Sequence, residues 1–339
     1  MSSDLIMFTG FEGCTSNADG VSFFHAQDGP ARSGIRLQNN GGYLGSKGIY
    51  LGFDIWLGHT EATRYFPANL RSVHMGFHVK VSSADYSFLR VVNAAGDAIL
   101  SLIPRASEVM SVTSSTFTNV DINNVPIAIG VYFHIEFHIN VDTGTLVLKI
   151  NGIEYFNESG LNLGSTDLNR FILRYFYFDN IWIHKTKSLG QAIAFFSKPT
   201  ADGHYAPNAG FFQTNDGSPD GWAKLQENDG DNNYIYSQIP DAKFTCKQEL
   251  LPLGYQPVAY CIQSIYKNIS GGGLLYVRDL LRYNSLQEDF LGEIRAVPSA
   301  YRHSEHFRTN YDLAPDGTEL TRDKINDMEI GSQIVELEE

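Results

Sequence analysis

Histidines and a carboxylate alternate with apolar residues in the segment VYFHIEFHINV. His134, Glu136 and His138 share one face if this segment is a strand, because successive side chains of a strand point to opposite sides. His74 and His78 share the polar face of a second such segment. Side chains at i and i+2 lie about 7 Å apart, and imidazole is a common metal ligand. We expect a polar surface that faces water or another subunit, with metal binding or pH sensing and catalysis as alternatives.

A polar stretch at 213–233 contains four aspartates that suit a hard cation such as calcium if the loop folds back on itself: Asp216, Asp220, Asp229 and Asp231. The sequence assigns no cofactor, and calcium binding by this loop is the alternative. If a metal ion is bound, the candidate ligands are His134, His138, Asp229 and Asp231.

Glycoside hydrolases place two carboxylates across a cleft, often from an E-x-D-x-E run along one strand. The strand segments here contain no such run, and the nearest string, residues 227–231, lies in the polar stretch. The sequence also lacks a P-loop, a G-x-S-x-G motif and an H-E-x-x-H motif. We therefore predict a protein that is not an enzyme, and a polysaccharide depolymerase is an alternative.

Glycan binding needs exposed aromatic rings for stacking, together with hydrogen-bonding side chains. The segment LGFDIWLGHTEATRYFPANLR contains such residues, and the polar stretch adds one more tryptophan. The candidate glycan-binding residues are Trp56, Arg64, Tyr65, Phe66 and Trp222. The alternative is that each aromatic residue belongs to a core or an interface.

The chain has 339 residues, with 25 Lys and Arg against 38 Asp and Glu, a net charge of −13. An acidic surface repels phosphate backbones, so nucleic-acid binding is not expected. No segment approaches the roughly 18 uninterrupted apolar residues of a membrane-spanning helix, and the start MSSDLIMF does not resemble a signal peptide. We expect synthesis in the cytoplasm and no membrane insertion.

The three cysteines, Cys14, Cys246 and Cys261, have no C-x-x-C spacing, so neither a disulfide framework nor a zinc site is expected. We predict reduced thiols, and a bond between Cys246 and Cys261 is the alternative. Charged residues make up 19% of the chain, below the roughly 25% of ordinary soluble domains. This low share suggests that partner chains cover part of the surface.

Strict alternation of apolar and polar residues predicts the strands that hold these side chains. VYFHIEFHINV and TLVLKI follow each other, and the turn Asn151-Gly152 connects TLVLKI to IEYFN in an antiparallel meander. VHMGFHVKV and the hairpin of FLRVV with AILSLI have the same pattern. FILRYFYFDNIWIHK, at 171–185, predicts a further long strand region. Many short strands separated by Gly, Asn and Asp turns favour a β-sandwich.

The composition of the chain changes after about Lys187, where prolines and then the polar stretch at 213–233 replace the alternating strand pattern. We predict one β-domain at 1–187 and a smaller one at 188–339. In the second, strands are expected at 255–268 and 274–283 and in the closing segment MEIGSQIVEL. The best helical candidates are 280–291 and 319–326.

Several segments resemble laminin-G-like and concanavalin-A-like jelly rolls. VYFHIEFHINVDTGTLVLKINGIEYFN is similar to their central strands, FYFDNIWIHKTKSLG to their last strand, and FTGFEGC to their first. The segment AFFSKPTADGHYA, the acidic loop with Trp222 and the closing EIG at 329–331 resemble the second half of structural proteins from tailed bacteriophages.

The resemblance implies an all-β protein, a jelly roll followed by a smaller β-sandwich-like domain for docking and oligomerisation. It implies a structural component of a virion, tail-associated (fibre, collar or baseplate), with capsid decoration and a cellular glycan-binding module as alternatives. The expected partners are further copies in a trimer or ring, other virion proteins and a host surface polysaccharide. Many copies would multiply weak contacts.

Overall fold

The computed structural model describes residues 4–9, 26–28, 35–38, 48–51, 53–54, 58–59, 61–105, 108–195, 197–206, 212–226, 233–266, 275–297 and 305–335. They belong to two compact units, Asp4–Ala194 and Phe195–Glu339. Antiparallel strands dominate both units.

The strands of the first unit are short and follow one another closely. They are β1 (Leu5–Thr9), β2 (Ala26–Asp28), β3 (Ile35–Gln38), β4 (Gly48–Leu51), β5 (Phe53–Asp54), β6 (Gly58–His59), β7 (Glu61–Tyr65), β8 (Ser72–Lys80), β9 (Leu89–Asn93), β10 (Ala98–Arg105), β11 (Val109–Thr113), β12 (Val120–Ile122), β13 (Tyr132–Asn140), β14 (Thr145–Ile150), β15 (Ile153–Glu158), β16 (Leu168–Arg174) and β17 (Tyr177–His184).

The described strands of the first unit form two large sheets and the short two-stranded ribbon β5-β6. The eight-stranded sheet has the order β15-β14-β13-β8-β17-β4-β3, with β1 also paired to β17. The seven-stranded sheet has the order β12-β11-β10-β9-β16-β7-β2. Neighbours in each sheet are often distant in sequence, which is typical of a jelly roll rather than a simple meander.

The inner faces of the two sheets enclose one apolar core. Phe77 of the eight-stranded sheet meets Phe88, which leads into the seven-stranded sheet, with ring centroids 6.2 Å apart. Phe88 also contacts Phe133 and Phe176. These residues are almost fully buried. The unit is therefore a β-sandwich, which confirms the all-β jelly-roll prediction.

The predicted meander forms as expected. Strands β13, β14 and β15 pair in sequence, and Ile135 lies opposite Ile150. Asn151 and Gly152 between β14 and β15 have φ of 50° and 80°. A two-residue turn needs such positive angles, which Asn and Gly adopt at low cost.

The long strand region predicted at 171–185 is present, divided into the two strands β16 and β17. Strand β16 belongs to the seven-stranded sheet and β17 to the eight-stranded sheet, and Tyr175 between them has a φ of 66°. The buried residues change phase at this corner, from Phe171 and Leu173 to Phe176 and Phe178. The chain thus passes from one sheet to the other within a few residues.

Residues 185–194, here called the covering segment, fold back on the first unit beyond the predicted boundary at 187. Trp182 Nε1 donates a hydrogen bond to the carbonyl of Gly190 at 3.0 Å. The amide of Ala194 donates to Asn180 Oδ1 at 2.7 Å. These bonds explain why the first unit extends to Ala194.

The second unit contains a six-stranded sheet of the order β18-β21-β27-β23-β24, with β25 also paired to β23, and the two ribbons β19-β20 and β22-β26. Its elements are β18 (Pro199–Asp202), β19 (Gln213–Thr214), a 3-10 helix (Gly221–Leu225), β20 (Ile235–Tyr236), β21 (Lys243–Gln248), β22 (Tyr260–Tyr266), β23 (Leu275–Tyr283), β24 (Glu288–Leu291), β25 (Arg295–Val297), β26 (Glu305–Tyr311), α1 (Arg322–Asp327) and β27 (Met328–Val335).

The strands predicted at 255–268, at 274–283 and in the closing segment are confirmed by β22, β23 and β27. The helix predicted at 280–291 is wrong, because β23 and β24 form a hairpin there. The helix predicted at 319–326 is present as α1, and the hydroxyl of Thr321 caps its first turn by accepting from the amide of Lys324.

Cys246 and Cys261 are free thiols, so the alternative bond between them does not form. Burial raises the pKa of Cys246 to about 12, and its Sγ donates to the carbonyl of Ile330. Cys14 lies outside the described residues. In the described parts of the chain, no helix has the length and apolar character needed to cross a membrane.

We predict that Gly76→Ala destabilises the first unit. A Cβ atom at Gly76 would lie 2.4 Å from the indole of Trp182, which is fully buried against the strand. The indole must move, and overpacking of this kind costs about 1–3 kcal/mol. Chemical denaturation monitored by tryptophan fluorescence measures the loss. Ser82→Ala, at an exposed position beyond the same strand, is the control, and equal stability of the two variants would contradict the prediction.

Candidate functional site

Alternate residues of β7, β16 and β9 form the outer face of the seven-stranded sheet. Phe171 and Leu173 of β16 are fully buried in the core, so the residues between them point outward. The outward side chains lie in three rows: Tyr65 with Arg170, Thr63 with Ile172 and Arg90, and Glu61 with Arg174. We call this surface the arginine face.

An exposed aromatic ring and a cation lie together at one end of the arginine face. The ring of Tyr65 is 41% exposed, and the guanidinium carbon of Arg170 lies 5.8 Å from its centroid. Arg170 Nη1 also donates to Asn169 Oδ1 at 2.8 Å. A flat ring beside fixed hydrogen-bond donors suits stacking against a sugar ring, whose hydroxyl groups need such donors.

A buried ion pair lies at the other end of the arginine face, away from Tyr65, with a second cation beside it. Arg174 forms a salt bridge with Glu61, and both side chains are largely buried. Burial lowers the pKa of Arg174 below its ordinary value; the charge of Glu61 opposes this effect and the charge of Arg90 adds to it. Arg90 and Arg174 therefore lie close enough to repel each other.

Two tyrosines lie beside the Arg174 end of the face. The rings of Tyr86 and Tyr175 have centroids 5.2 Å apart, and Tyr86 is 47% exposed. Burial raises the pKa of Tyr175, while the nearby charge of Arg174 lowers it. The arginine face thus has aromatic rings at both ends.

The glycan-binding residues predicted from sequence have different environments. Tyr65 lies on the arginine face. Arg64 pairs with Phe171 on the neighbouring strand and lies on the other face of the sheet. Phe66 is buried, with its ring centroid 5.9 Å from that of Phe171. Trp222 belongs to the second unit and packs against its apolar core.

Trp56 lies outside the described residues. Arg90, Arg170 and Arg174 were missed by the sequence argument. Each is a charged residue at an alternating position within a strand, as in FLRVV and FILR, and that alternation was the available signal.

The outer face of the eight-stranded sheet contains the predicted histidines. They lie in rows across β13, β8 and β17: His134 with His78, Glu136 with Gly76 and Trp182, and His138 with His74 and His184. The rings of His74 and His138 stack with centroids 4.0 Å apart. His134 is 1% exposed and Glu136 is 7% exposed, so the expectation of a surface at water or at a subunit interface is wrong for these two residues.

The covering segment explains the burial of Glu136. Ser188 Oγ donates to Glu136 Oε1 at 2.7 Å, and Lys149 Nζ lies 3.7 Å from the same oxygen. These residues border a recess of about 210 Å³ that His74 and His138 also line. The protein itself therefore compensates part of the charge of Glu136.

The described residues include no group of three His, Cys, Asp or Glu side chains that could hold a metal ion. His134 and His138 each contact a different histidine of β8. Asp229 and Asp231 lie outside the described residues. Asp216 accepts a hydrogen bond from Lys224 Nζ at 2.6 Å. Calcium binding by the polar stretch stays a prediction.

No family model matches this chain, and comparison with curated proteins gives no match. Domain 4 of AbnA, an extracellular GH43 arabinanase from Geobacillus stearothermophilus solved with arabinotriose, is 15% identical with a TM-score of 0.41, covering 55% of this chain and 94% of its own. The cellulose induced protein Cip1 is 14% identical with a TM-score of 0.41, covering 55% and 100%. Chicken galectin 2 is 16% identical with a TM-score of 0.30, covering 37% and 97%.

No function passes to this chain from likenesses at these identities. Its own strands and sheets define its class. It is an all-β protein with a concanavalin-A-like jelly-roll sandwich as its first unit and a smaller β unit after it.

We predict that the stability of the first unit falls as the pH drops from about 6.5 to about 4. Burial lowers the pKa of His74 and His78 to about 4 and that of His134 to about 3. An unfolded histidine has a pKa of about 6.5, so the unfolded chain binds more protons than the folded chain within this window. Protonation therefore favours unfolding, and the full stability is present above the unfolded pKa.

Thermal unfolding of the wild type and of His134→Leu at about pH 7 and about pH 5 measures this dependence. Neither ring nitrogen of His134 has a hydrogen-bond partner among the described residues, so leucine is tolerated and the pH dependence becomes shallower. His204→Gln, an exposed histidine of the second unit, is the control and keeps the wild-type dependence. Identical pH dependence of His134→Leu and the wild type would contradict this account.

Proposed function

We propose that this chain is a glycan-binding protein without enzymatic activity and that the arginine face is its contact surface. The observation that supports this function is the exposed ring of Tyr65 beside Arg170, on a rigid sheet face with further hydrogen-bonding side chains. A sugar ring stacks on the tyrosine while its hydroxyl groups accept hydrogen bonds from arginine. Rigid strands hold these groups in place before the ligand arrives, which lowers the entropic cost of binding.

Binding without turnover is supported by the engagement of the carboxylates described on the outer side of the seven-stranded sheet, where Asp85 accepts a hydrogen bond from Arg105. Glu61 is engaged in its salt bridge with Arg174, and Asp121 of β12 accepts a hydrogen bond from Ser111 at 2.5 Å. Four strands lie between β7 and β12, which places Glu61 and Asp121 about 24 Å apart by strand spacing. Glycoside hydrolases need a separation of roughly 5–9.5 Å.

Tyr65→Ala should weaken polysaccharide binding about tenfold, because it removes the stacking ring and leaves the sheet intact. Isothermal titration calorimetry against a panel of neutral and acidic polysaccharides measures the effect. The control is Tyr255→Ala, which removes an exposed tyrosine of the second unit. The proposal is overturned if the wild type binds no member of the panel, or if both variants bind as tightly as the wild type.

A structural role in a tailed-bacteriophage virion is the second candidate function, with a tail position as the first choice and capsid decoration as the alternative. It rests on the sequence resemblance, and one packing feature connects the two segments that carry this resemblance. The two segments of the second unit that resemble phage structural proteins, PTADG at 199–203 and EIG at 329–331, meet around the buried carboxylate of Glu329.

Glu329 Oε2 accepts hydrogen bonds from the amide of His204 at 2.7 Å and from Thr245 Oγ1 at 2.8 Å. A Cβ atom at Gly203 would lie 2.4 Å from the same oxygen, and one at Gly331 would lie 1.7 Å from the carbonyl oxygen of Phe244. One packing arrangement thus requires both glycines. The two segments that resemble phage structural proteins therefore pack together around Glu329 within the second unit.

The virion proposal predicts that peptide mass spectrometry of purified tailed particles from the source detects this chain at a fixed copy number. Light scattering of the purified protein should then give a trimer or a ring, because virion components follow closed symmetry. A monomeric protein that is missing from the particles would overturn the virion role, and the calorimetric test of glycan binding would be unaffected.

A further inference from the structure

Positive charge is in excess at the centre of the arginine face. Around Ile172 the described side chains include three arginines and one carboxylate: Arg90, Arg170, Arg174 and Glu61. The whole chain, in contrast, has a net charge of −13. Surface charges beyond about 10 Å are screened at moderate salt, so this local excess governs what the face attracts.

The described contacts leave most of the arginine donors unused. A guanidinium group has five N–H donors. Arg174 has one salt bridge with Glu61, Arg170 donates to Asn169, and Arg90 has no ion pair with any described residue. An anion between Arg90 and Arg174 would offset the repulsion between the two cations. It would also offset the free-energy cost of burying the charge of Arg174.

A buried hydroxyl group without a partner lies in the same row. Thr63 is 2% exposed, and in the described part of the structure its Oγ1 has no hydrogen-bond partner. Thr63 and Arg90 lie on opposite sides of Ile172. The three rows are about 7 Å apart along the strands, so one small planar group at the middle row is within the length of an arginine side chain of the two outer rows.

We infer that the glycan bound by the arginine face is an acidic polysaccharide, and that the carboxylate of one of its sugars binds the guanidinium groups of Arg90, Arg170 and Arg174. This inference rests on the proposed function. A carboxylate is planar and accepts two parallel hydrogen bonds from a guanidinium group, a geometry that neutral hydroxyl groups do not match. The ring of Tyr65, next to Arg170, stacks on the same sugar or its neighbour.

The probes are polygalacturonate, alginate and hyaluronan, each compared with its carboxyl-reduced derivative of the same length. The full chain should bind at least one acidic polymer about tenfold more tightly than its reduced form, because hydrogen bonds to charged groups are the stronger ones. Arg90→Gln and Arg170→Gln should abolish this preference. Rising salt should weaken binding of the acidic polymer and leave binding of the reduced polymer unchanged.

The matched control is Arg105→Gln, which removes an arginine of β10, outside the arginine face. Arg105 is already paired, since its Nη1 donates to Asp85 Oδ1 at 2.9 Å, so the preference should remain. Near-UV circular dichroism identifies variants that do not fold. If Arg90→Gln is among them, Arg170→Gln and the salt dependence of the wild type decide the result.

Equal binding of an acidic polymer and its reduced form would overturn the inference while glycan binding stands. An acidic preference that persists in Arg90→Gln and Arg170→Gln, and is lost in Arg105→Gln, would overturn it as well. Binding of no acidic or reduced polymer, together with no binding to the neutral panel, would overturn both the inference and the proposed function.

Discussion

Close packing between the inner faces of the two sheets determines where every other side chain of the first unit points. Phe88 is the centre of this contact, with Phe77, Phe133 and Phe176 around it. Because side chains alternate along a strand, a slip of one residue in β16 would bury Arg170 and expose Phe171. The free energy of that exchange is so unfavourable that the core fixes the arrangement of the arginine face.

The polar side chains on the outer faces of the two sheets have different environments. On the eight-stranded sheet, the indole of Trp182 and the covering segment exclude water, and the imidazoles beneath are held neutral. On the arginine face, Arg90, Arg170 and Arg174 have one carboxylate among their described neighbours, Glu61. Water exclusion makes the first face a structural layer, while the excess of described positive charge on the second is the basis of the proposed contact surface.

The sequence was informative where short-range rules decide the structure. Alternation predicts which residues of β13 and β14 face the core, and Asn151-Gly152 predicts the turn from β14 to β15, since few other residues adopt positive φ at low cost. The corner at Tyr175 could not be predicted in this way, because an aromatic residue in that conformation is held by its surroundings. The hairpin of β23 and β24 has good helix formers in its sequence, and pairing with β27 overrides that preference.

The candidate site was predicted only in part, because local sequence rules do not show which strands pair. Tyr65 follows from residue type and position, whereas Arg90, Arg170 and Arg174 come together through the pairing of β9 with β16, which are far apart in sequence. Alternation gives the face on which a residue lies and not its neighbours across the sheet. Burial of the histidines likewise depends on the covering segment, whose contacts no local pattern shows.

The abrupt corner at Tyr175 has a mechanical consequence. Strand β16 runs through the middle of one layer, and β17 runs through the middle of the other, with only two residues between them. A tensile load applied to β16 therefore passes directly along the backbone into the opposite layer. Both layers resist such a load in shear, as long ladders of hydrogen bonds that must break together rather than one after another.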